Sequence, residues 1–232
     1  MKKYLILTGA GISAESGIQT FRDSGGLWAN HRVEDVASPQ GFQKNPKLVW
    51  NFYKERFAET LKVEPNPAHL ALSKLEKALQ DDFYLITQNV DGLHTRAGNK
   101  RIYEMHGRLS SAFCTGCSKR YQVSELDLDS DVPLCSKCGK ILRPDVVWFE
   151  EIPYYLYEIE ALLKSCDVFV ILGTSGTVYP AAGFVMTAKL FGAHTIAINL
   201  SKPDNLNFID EFYLGKCGEL LPPMVDRILE EL

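Results

Sequence analysis

The chain has 232 residues, 46% of them hydrophobic, with 25 Lys and Arg against 29 Asp and Glu for a net charge of −4. That length supports one large core with a small satellite module. The mild acidity gives no global electrostatic pull toward nucleic acid or anionic membranes, and no stretch approaches the roughly 20 apolar residues of a spanning helix, so neither is expected as a direct partner.

At the N-terminus two lysines precede an apolar run, Tyr4 to Leu7, that is too short for the hydrophobic region of a signal peptide, and glycines follow at once. The cytosol is the expected location, where cysteines serve as thiols or metal ligands. Residues 4–8 (YLILT), ending in Gly9-Ala10-Gly11, predict a buried parallel strand feeding a tight turn, with the next helix opening over Ser13 to Gly17. Residues 31–65 carry helical patterning around LVWNFYKERFAETL and no strong strand, which marks a helical insertion. A helix is predicted over Ala68–Leu79 and a strand over Phe83–Thr87. Residues 111–142 hold four cysteines and few long apolar runs, a second insertion. Beyond it come a helix over Glu158–Lys164 and strands over Val168–Gly173 and Thr195–Leu200. Strands alternating with helices predict an α/β fold with a doubly wound, Rossmann-like parallel sheet. Its parts are 1–30, 66–110 and 143–232, within a single domain spanning 1–232.

The cysteine spacing carries the most specific chemistry. Cys114-x-x-Cys117 is followed, after 17 residues, by Cys135-x-x-Cys138. Two chelating knuckles at that separation predict one tetrahedral zinc. Four thiolates leave no position for a catalytic water, so the zinc is expected to be structural. Two disulfides are the alternative. Cys166 lies outside the pattern and reads as a small buried hydrophobe.

Gly9-Ala10-Gly11 suits close approach of backbone to a phosphate at a helix N-terminus. The full G-x-G-x-x-G pattern is absent, and no acidic residue stands out at the end of a second strand. A hydride-transfer dehydrogenase is therefore poorly supported.

Seven segments in order, GAGISAESGIQTFR (9–22), TQNVDGLH (87–94), HG (106–107), the two CxxC pairs, LRPDVVWF (142–149), GTS (173–175) and IN (198–199), resemble the sirtuin family. The chain is similar to the small prokaryotic-type members that are little more than a catalytic core. The resemblance implies NAD as co-substrate and acylated lysines of proteins or peptides as partners. It implies that Gly9, Ala10 and Gly11 cradle the pyrophosphate. Phe21 and Arg22 would lie on a loop over the cofactor, Arg22 organising the site and Phe21 shielding the reactive sugar carbon. Gln88, Asn89, Val90 and Asp91 would line the nicotinamide and ribose pocket. Gly173, Thr174 and Ser175 would lie in the crevice beyond a strand end. Asn199, Leu200 and Cys217 would reach the adenosine end. Taken singly, each of these glycines and loop residues also reads as an ordinary turn former.

His106 is the catalytic base in this reading, since imidazole takes a hydroxyl proton near neutral pH without large tuning. The family chemistry begins with attack of the acyl oxygen on the anomeric carbon, with release of nicotinamide. His106 then deprotonates the ribose, and water resolves the intermediate to lysine and O-acyl-ADP-ribose. Tyr53 and Arg56, spaced i, i+3 on one helix face, match the Tyr-x-x-Arg of the sirtuin subclass that prefers acidic acyl chains. Succinyl- and malonyl-lysine join acetyl-lysine as expected substrates. An amphipathic helix with a half-buried Tyr and a solvated Arg is the plainer alternative. Val146, Val147, Trp148 and Phe149 are expected to pair with substrate backbone as an added strand. One departure follows them: Glu150 stands where the family has glycine, which puts the local peptide geometry in question. An NAD-dependent protein ADP-ribosyltransferase would need the same NAD site and is the competing enzyme reading. A nucleotide-sensing module with a zinc ribbon is the non-enzyme one.

Overall fold

Tyr4–Thr8 forms β1, and all five of its residues are buried. Only a strand covered on both faces calls for such an unbroken apolar run. The computed structural model describes residues 2–19 and 27–232. After β1 come α1 (Ala10–Ala14), the two-residue strands β2 (Leu27–Trp28) and β3 (His31–Arg32), and α2 (Val33–Val36), α3 (Pro39–Lys44), α4 (Pro46–Thr60) and α5 (Pro67–Leu79). Next are β4 (Phe83–Thr87), α6 (Leu93–Arg96), β5 (Ile102–Glu104), β6 (Gly107–Cys114), β7 (Arg120–Gln122) and β8 (Leu142–Val146). The chain then runs through α7 (Leu156–Leu163), β9 (Val168–Leu172), α8 (Phe184–Leu190), β10 (His194–Asn199), β11 (Glu211–Leu214) and α9 (Cys217–Glu230). Among the described residues, no helix is long and apolar enough to cross a membrane.

The main sheet has six parallel strands in the order β11-β10-β9-β1-β4-β5. Alternate residues of each strand feed opposite faces. Tyr4, Ile6, Phe83, Leu85, Val168 and Val170 meet Leu72, Leu75 and Leu79 of α5 and Leu221 and Val225 of α9. Leu5, Leu7, Ile86, Phe169 and Ile171 meet Ile159 and Leu163 of α7 and Phe184, Val185 and Ala188 of α8. Helices on both faces make the sheet doubly wound, the predicted class. Cys166 is buried in the second of these cores.

Three helices of the first half begin alike, at a polar residue followed by proline. Ser38, Asn45 and Asn66 accept backbone N–H bonds from Gly41, Leu48 and Ala68, with Pro39, Pro46 and Pro67 at the first helical position. The caps supply acceptors for donors the helix cannot satisfy, and the fixed φ of proline suits that position.

The two insertions form one lobe. Val49, Trp50, Phe52 and Tyr53 of α4 pack on Leu109, Ala112 and Cys114 of β6, Leu142 and Val146 of β8, and Trp148. The Trp50 indole donates to the Leu142 carbonyl at 2.8 Å. β6 centres a three-stranded antiparallel sheet with β7 and β8. This sheet runs from Gly107 to Val146, so it reaches past the 111–142 segment into the residues beside His106.

His69 and His94 are buried between α5 and α6, their rings 4.7 Å apart. Burial lowers His69 to about 4, and burial together with its histidine neighbour lowers His94 well below the usual range. The unfolded chain therefore binds more protons than the folded one below pH 6.5. The contribution of the pair is complete above that pH and is lost on acidification, that of His69 toward about 4. For His69 alone this amounts to about 3 kcal/mol. Urea unfolding at pH 7 and pH 4.5 should show the loss, and His69→Gln should show less of it. Equal losses in wild type and variant would contradict the assignment.

Candidate active site

Counted within the main sheet, the strands follow the order 3-2-1-4-5-6, and connections leave β1 and β9 in opposite directions. The crevice beyond the C-terminal ends of such a pair is where doubly wound folds bind ligands. Gly9 and Gly11 follow β1, and Gly173 follows β9. The Gly9 N–H donates to Leu172 O at 2.9 Å and the Gly11 N–H to Gly173 O at 2.8 Å. A Cβ at Gly11 would stand 2.7 Å from the Gly173 carbonyl oxygen, and one at Gly9 2.8 Å from it. These glycines are needed for two turns to touch, whatever they also hold. Ala10 begins α1, so the helix opens three residues before Ser13, and Gly9 at its N-cap offers no side-chain acceptor.

The segment after β4 is tied into this crevice. Gln88 donates its backbone N–H to Thr8 O at 3.0 Å and its amide to Thr174 Oγ1 at 3.2 Å. Asn89 is buried, and its amide donates to Gly9 O and Ser13 Oγ, each at 3.0 Å, which leaves its carbonyl oxygen for a ligand. Val90 turns its carbonyl to the Leu109 N–H at 2.8 Å and packs on the small lobe. Asp91 accepts from the Leu93 N–H at 2.9 Å and from Ser13, and burial raises its carboxyl. Ser13 thus holds Asn89 and Asp91 together, a role absent from the sequence reading. Thr8 belongs with it, donating to Thr87 and meeting His94 Nε2 at 2.9 Å. A hydroxyl as the last residue of both β1 and β4 was the available signal.

His106 stands where the sheet meets the small lobe. Its Nδ1 lies 3.0 Å from the Gln88 carbonyl oxygen. A carbonyl can only accept, so Nδ1 carries the proton and Nε2 of the neutral ring holds a lone pair. Burial lowers the pKa, against the opposing effect of the Gln88 bond. The neutral, basic form therefore prevails at pH 7. The His106 carbonyl accepts from the Val147 N–H at 2.9 Å. Gly107 has φ +78°, and a Cβ there would stand 2.0 Å from Asp145 O. Only glycine fits, so the His-Gly pair fixes how β6 leaves the site.

At the other end, Asn199 donates to Thr174 O at 2.9 Å and accepts the Leu200 N–H at 3.0 Å. Ser175 bonds Thr177 at 2.6 Å. Cys217 is buried beside Ile198, and burial pushes its thiol up to about 12. Its side chain belongs to the core, so any ligand contact there falls to its backbone. Phe21 and Arg22 lie outside the described residues.

On the small-lobe side, Tyr53 is buried and its hydroxyl accepts from the Trp148 indole at 2.9 Å. Burial raises its pKa, so the hydroxyl keeps its own proton as a donor. Arg56 is enclosed, with its Nη2 donating to Glu59 at 2.7 Å. This departs from the plainer pattern of a half-buried Tyr and a solvated Arg. The Val146–Phe149 segment offers little of a ladder. The N–H groups of Val147, Trp148 and Phe149 donate to His106 O, Glu151 Oε2 and Ala37 O. The Val146 and Trp148 carbonyls accept from Arg143 and from the Glu151 N–H. No described residue donates to the Val147 carbonyl. An added strand thus narrows to single contacts such as that one. Glu150 keeps the glycine geometry, with φ +73°. A left-handed residue with a side chain costs about 1–2 kcal/mol. Bonds from Gln40 to Glu150 and from Arg143 to Glu151 hold the turn.

The four cysteines Cys114, Cys117, Cys135 and Cys138 bring their sulfurs within 4.8 Å of one another, and none is in a disulfide. The disulfide alternative therefore falls. Four sulfurs about 2.3 Å from a zinc would stand roughly 3.8 Å apart. Cys114–Cys138 at 3.4 Å and Cys117–Cys135 at 3.6 Å fit that shell. Backbone N–H groups of Gly116, Cys117 and Lys137 point at the sulfurs, as thiolate ligands require. Cys114 ends β6, seven residues along the strand from the Gly107 that begins it beside His106.

The Sir2 family model matches residues 9–180. A protein of Leishmania major named NAD-dependent protein deacylase SIR2rp3 is 50% identical over 232 residues, covering 97% of this chain and 95% of its own. The NAD-dependent protein deacylase of Pasteurella multocida is 47% identical, with 98% of each chain covered. A solved Sir2 homologue in complex with NAD superposes with a TM-score of 0.90 at 40% identity, covering 99% of this chain and 90% of that one. The fold, the crevice and the cysteine cluster are those of a nucleotide-binding α/β enzyme with a structural metal, and the chain belongs to the Sir2 family.

Proposed function

We propose that the chain is an NAD-dependent protein-lysine deacylase, which passes the acyl group to ADP-ribose and releases nicotinamide. NAD supplies an electrophilic ribose carbon and the hydroxyl that receives the acyl group. The observation that carries the reading is His106, fixed as a neutral base at the mouth of the switch-point crevice. Its Nε2 takes the ribose hydroxyl proton, while the Gln88 carbonyl stabilises the imidazolium that forms. The Asn89 oxygen and Asp91, braced by Ser13, face the nicotinamide end, and Gly9, Gly11 and the Gly173–Ser175 turn face the phosphates. The Val147 carbonyl takes the N–H of the acylated lysine. Incubation with NAD and one acyl-lysine peptide should release nicotinamide and free lysine in equal amounts. NAD-independent deacylation would overturn the reading. A cytosolic setting suits six cysteines with no disulfide among them.

Acidic acyl chains belong in the same proposal, with Arg56 as the anchor for the distal carboxylate and Tyr53 as a second donor. Arg56→Met removes a charge that only an acidic acyl group uses. A hydrogen bond to a charged group contributes about 1.5–3 kcal/mol, which is roughly 10- to 150-fold in kcat/KM for a succinyl-lysine peptide. The acetyl form of the same peptide should lose far less. Equal losses would make Arg56 a general support of the pocket.

A further inference from the structure

Arg56 already has an anion. Its side chain is 14% exposed, its guanidinium lies 5.4 Å from the Phe52 ring centre, and its Nε is buried with no partner among the described residues. Its Nη2 donates to Oε1 of Glu59 at 2.7 Å. Glu59 sits one turn along α4 with its side chain 51% exposed, free to turn into solvent. Nε and Nη2 form one edge of the guanidinium, spaced for the two oxygens of a single carboxylate. On that edge Glu59 takes one N–H and leaves the other unmet. A surface pair at i, i+3 would leave both ends wet and contribute little. Here the cation is enclosed, and only the carboxylate is half in water.

We propose that Glu59 is a specificity-determining residue, an internal stand-in for the distal carboxylate of the acyl chain. This rests on the reading of Arg56 as the acyl anchor. With a neutral acyl group in place, Glu59 stays on Nη2, and the enclosed guanidinium is not left as an unpaired charge, which is costly away from water. With an acidic acyl chain, the incoming carboxylate takes Nε and Nη2 together, and Glu59 swings out to solvent. Glu59 thereby supports neutral acyl groups and discounts the affinity for acidic ones. The enzyme is held between the two substrate classes by a single displaceable carboxylate.

The test uses the full chain, one peptide in acetyl and succinyl forms, saturating NAD, and separate KM and kcat values. In Glu59→Gln, the succinyl-to-acetyl ratio of kcat/KM should rise about three- to fivefold, which is the scale of a partly exposed ion pair. The gain should lie in KM for the succinyl peptide, since Glu59 competes for binding and takes no part in the chemistry. In an Arg56→Met background the same substitution should no longer move the ratio. A ratio that stays flat or falls in Glu59→Gln, while Arg56→Met still lowers the ratio, would overturn the stand-in role and leave the anchor intact. Failure of Arg56→Met to change the ratio would remove the anchor and, with it, this inference.

Discussion

Cys135→Ser should release the zinc and unfold the small lobe. The structural reason is where the ligands sit. Cys114 and Cys135 are buried members of the same core as Trp50, Tyr53 and Trp148. Structural zinc sites in small peptides contribute on the order of 10–16 kcal/mol to folding. The share here is smaller, because α4 also covers the lobe, but several kcal/mol corresponds to a drop in Tm of about 10 °C or more for a chain this size. The loss should reach the active site through β6, since Gly107 and the Val147–His106 bond depend on its pairing with β8. Metal analysis should fall from one zinc per chain to none. One tightly held zinc with an unchanged Tm would contradict the four-cysteine site.

His106→Ala should keep the fold and lose nearly all turnover. A positioned general base contributes about 10²- to 10⁴-fold, and the loss should lie in kcat, with KM for NAD little changed. Only the bond to Gln88 O disappears from the fold. Because burial lowers the His106 pKa, the base is unprotonated at neutral pH and becomes protonated on acidification. Wild-type kcat/KM should therefore be level near pH 7 and fall on the acid side below 6.5. The residual rate of His106→Ala should lack that limb. Wild-type turnover in a folded variant would remove the base from the mechanism.

The parts of the fold that could be read from sequence were those with a continuous physical signal. The runs YLILT and FYLIT are strands at the predicted bounds because burial on both faces leaves no room for charged residues. The edge strands β5 (IYE) and β11 (EFYL) carry charge and partial exposure, so no apolar run announces them. The cysteine spacing encodes its site because two knuckles and a shared ion are local features. The common core of the two insertions is not local: Trp50 meets Leu142 across 92 residues. Around the crevice, the glycines and the QNVD segment mark strand ends in the sequence, but hydrogen bonding is hidden. Nothing in QNVD reveals that both amide hydrogens of Asn89 go to Gly9 and Ser13. Nor does WFEE reveal that Glu150 takes the backbone conformation of a glycine.

The most direct test of the central claim is the identity of the product. An acyl-lysine peptide incubated with NAD and the full chain, then resolved by mass spectrometry, should yield free lysine peptide, nicotinamide and O-acyl-ADP-ribose in equal amounts. Peptide or protein carrying ADP-ribose, with the acyl group still on lysine, would contradict deacylation and establish the competing transferase in its place.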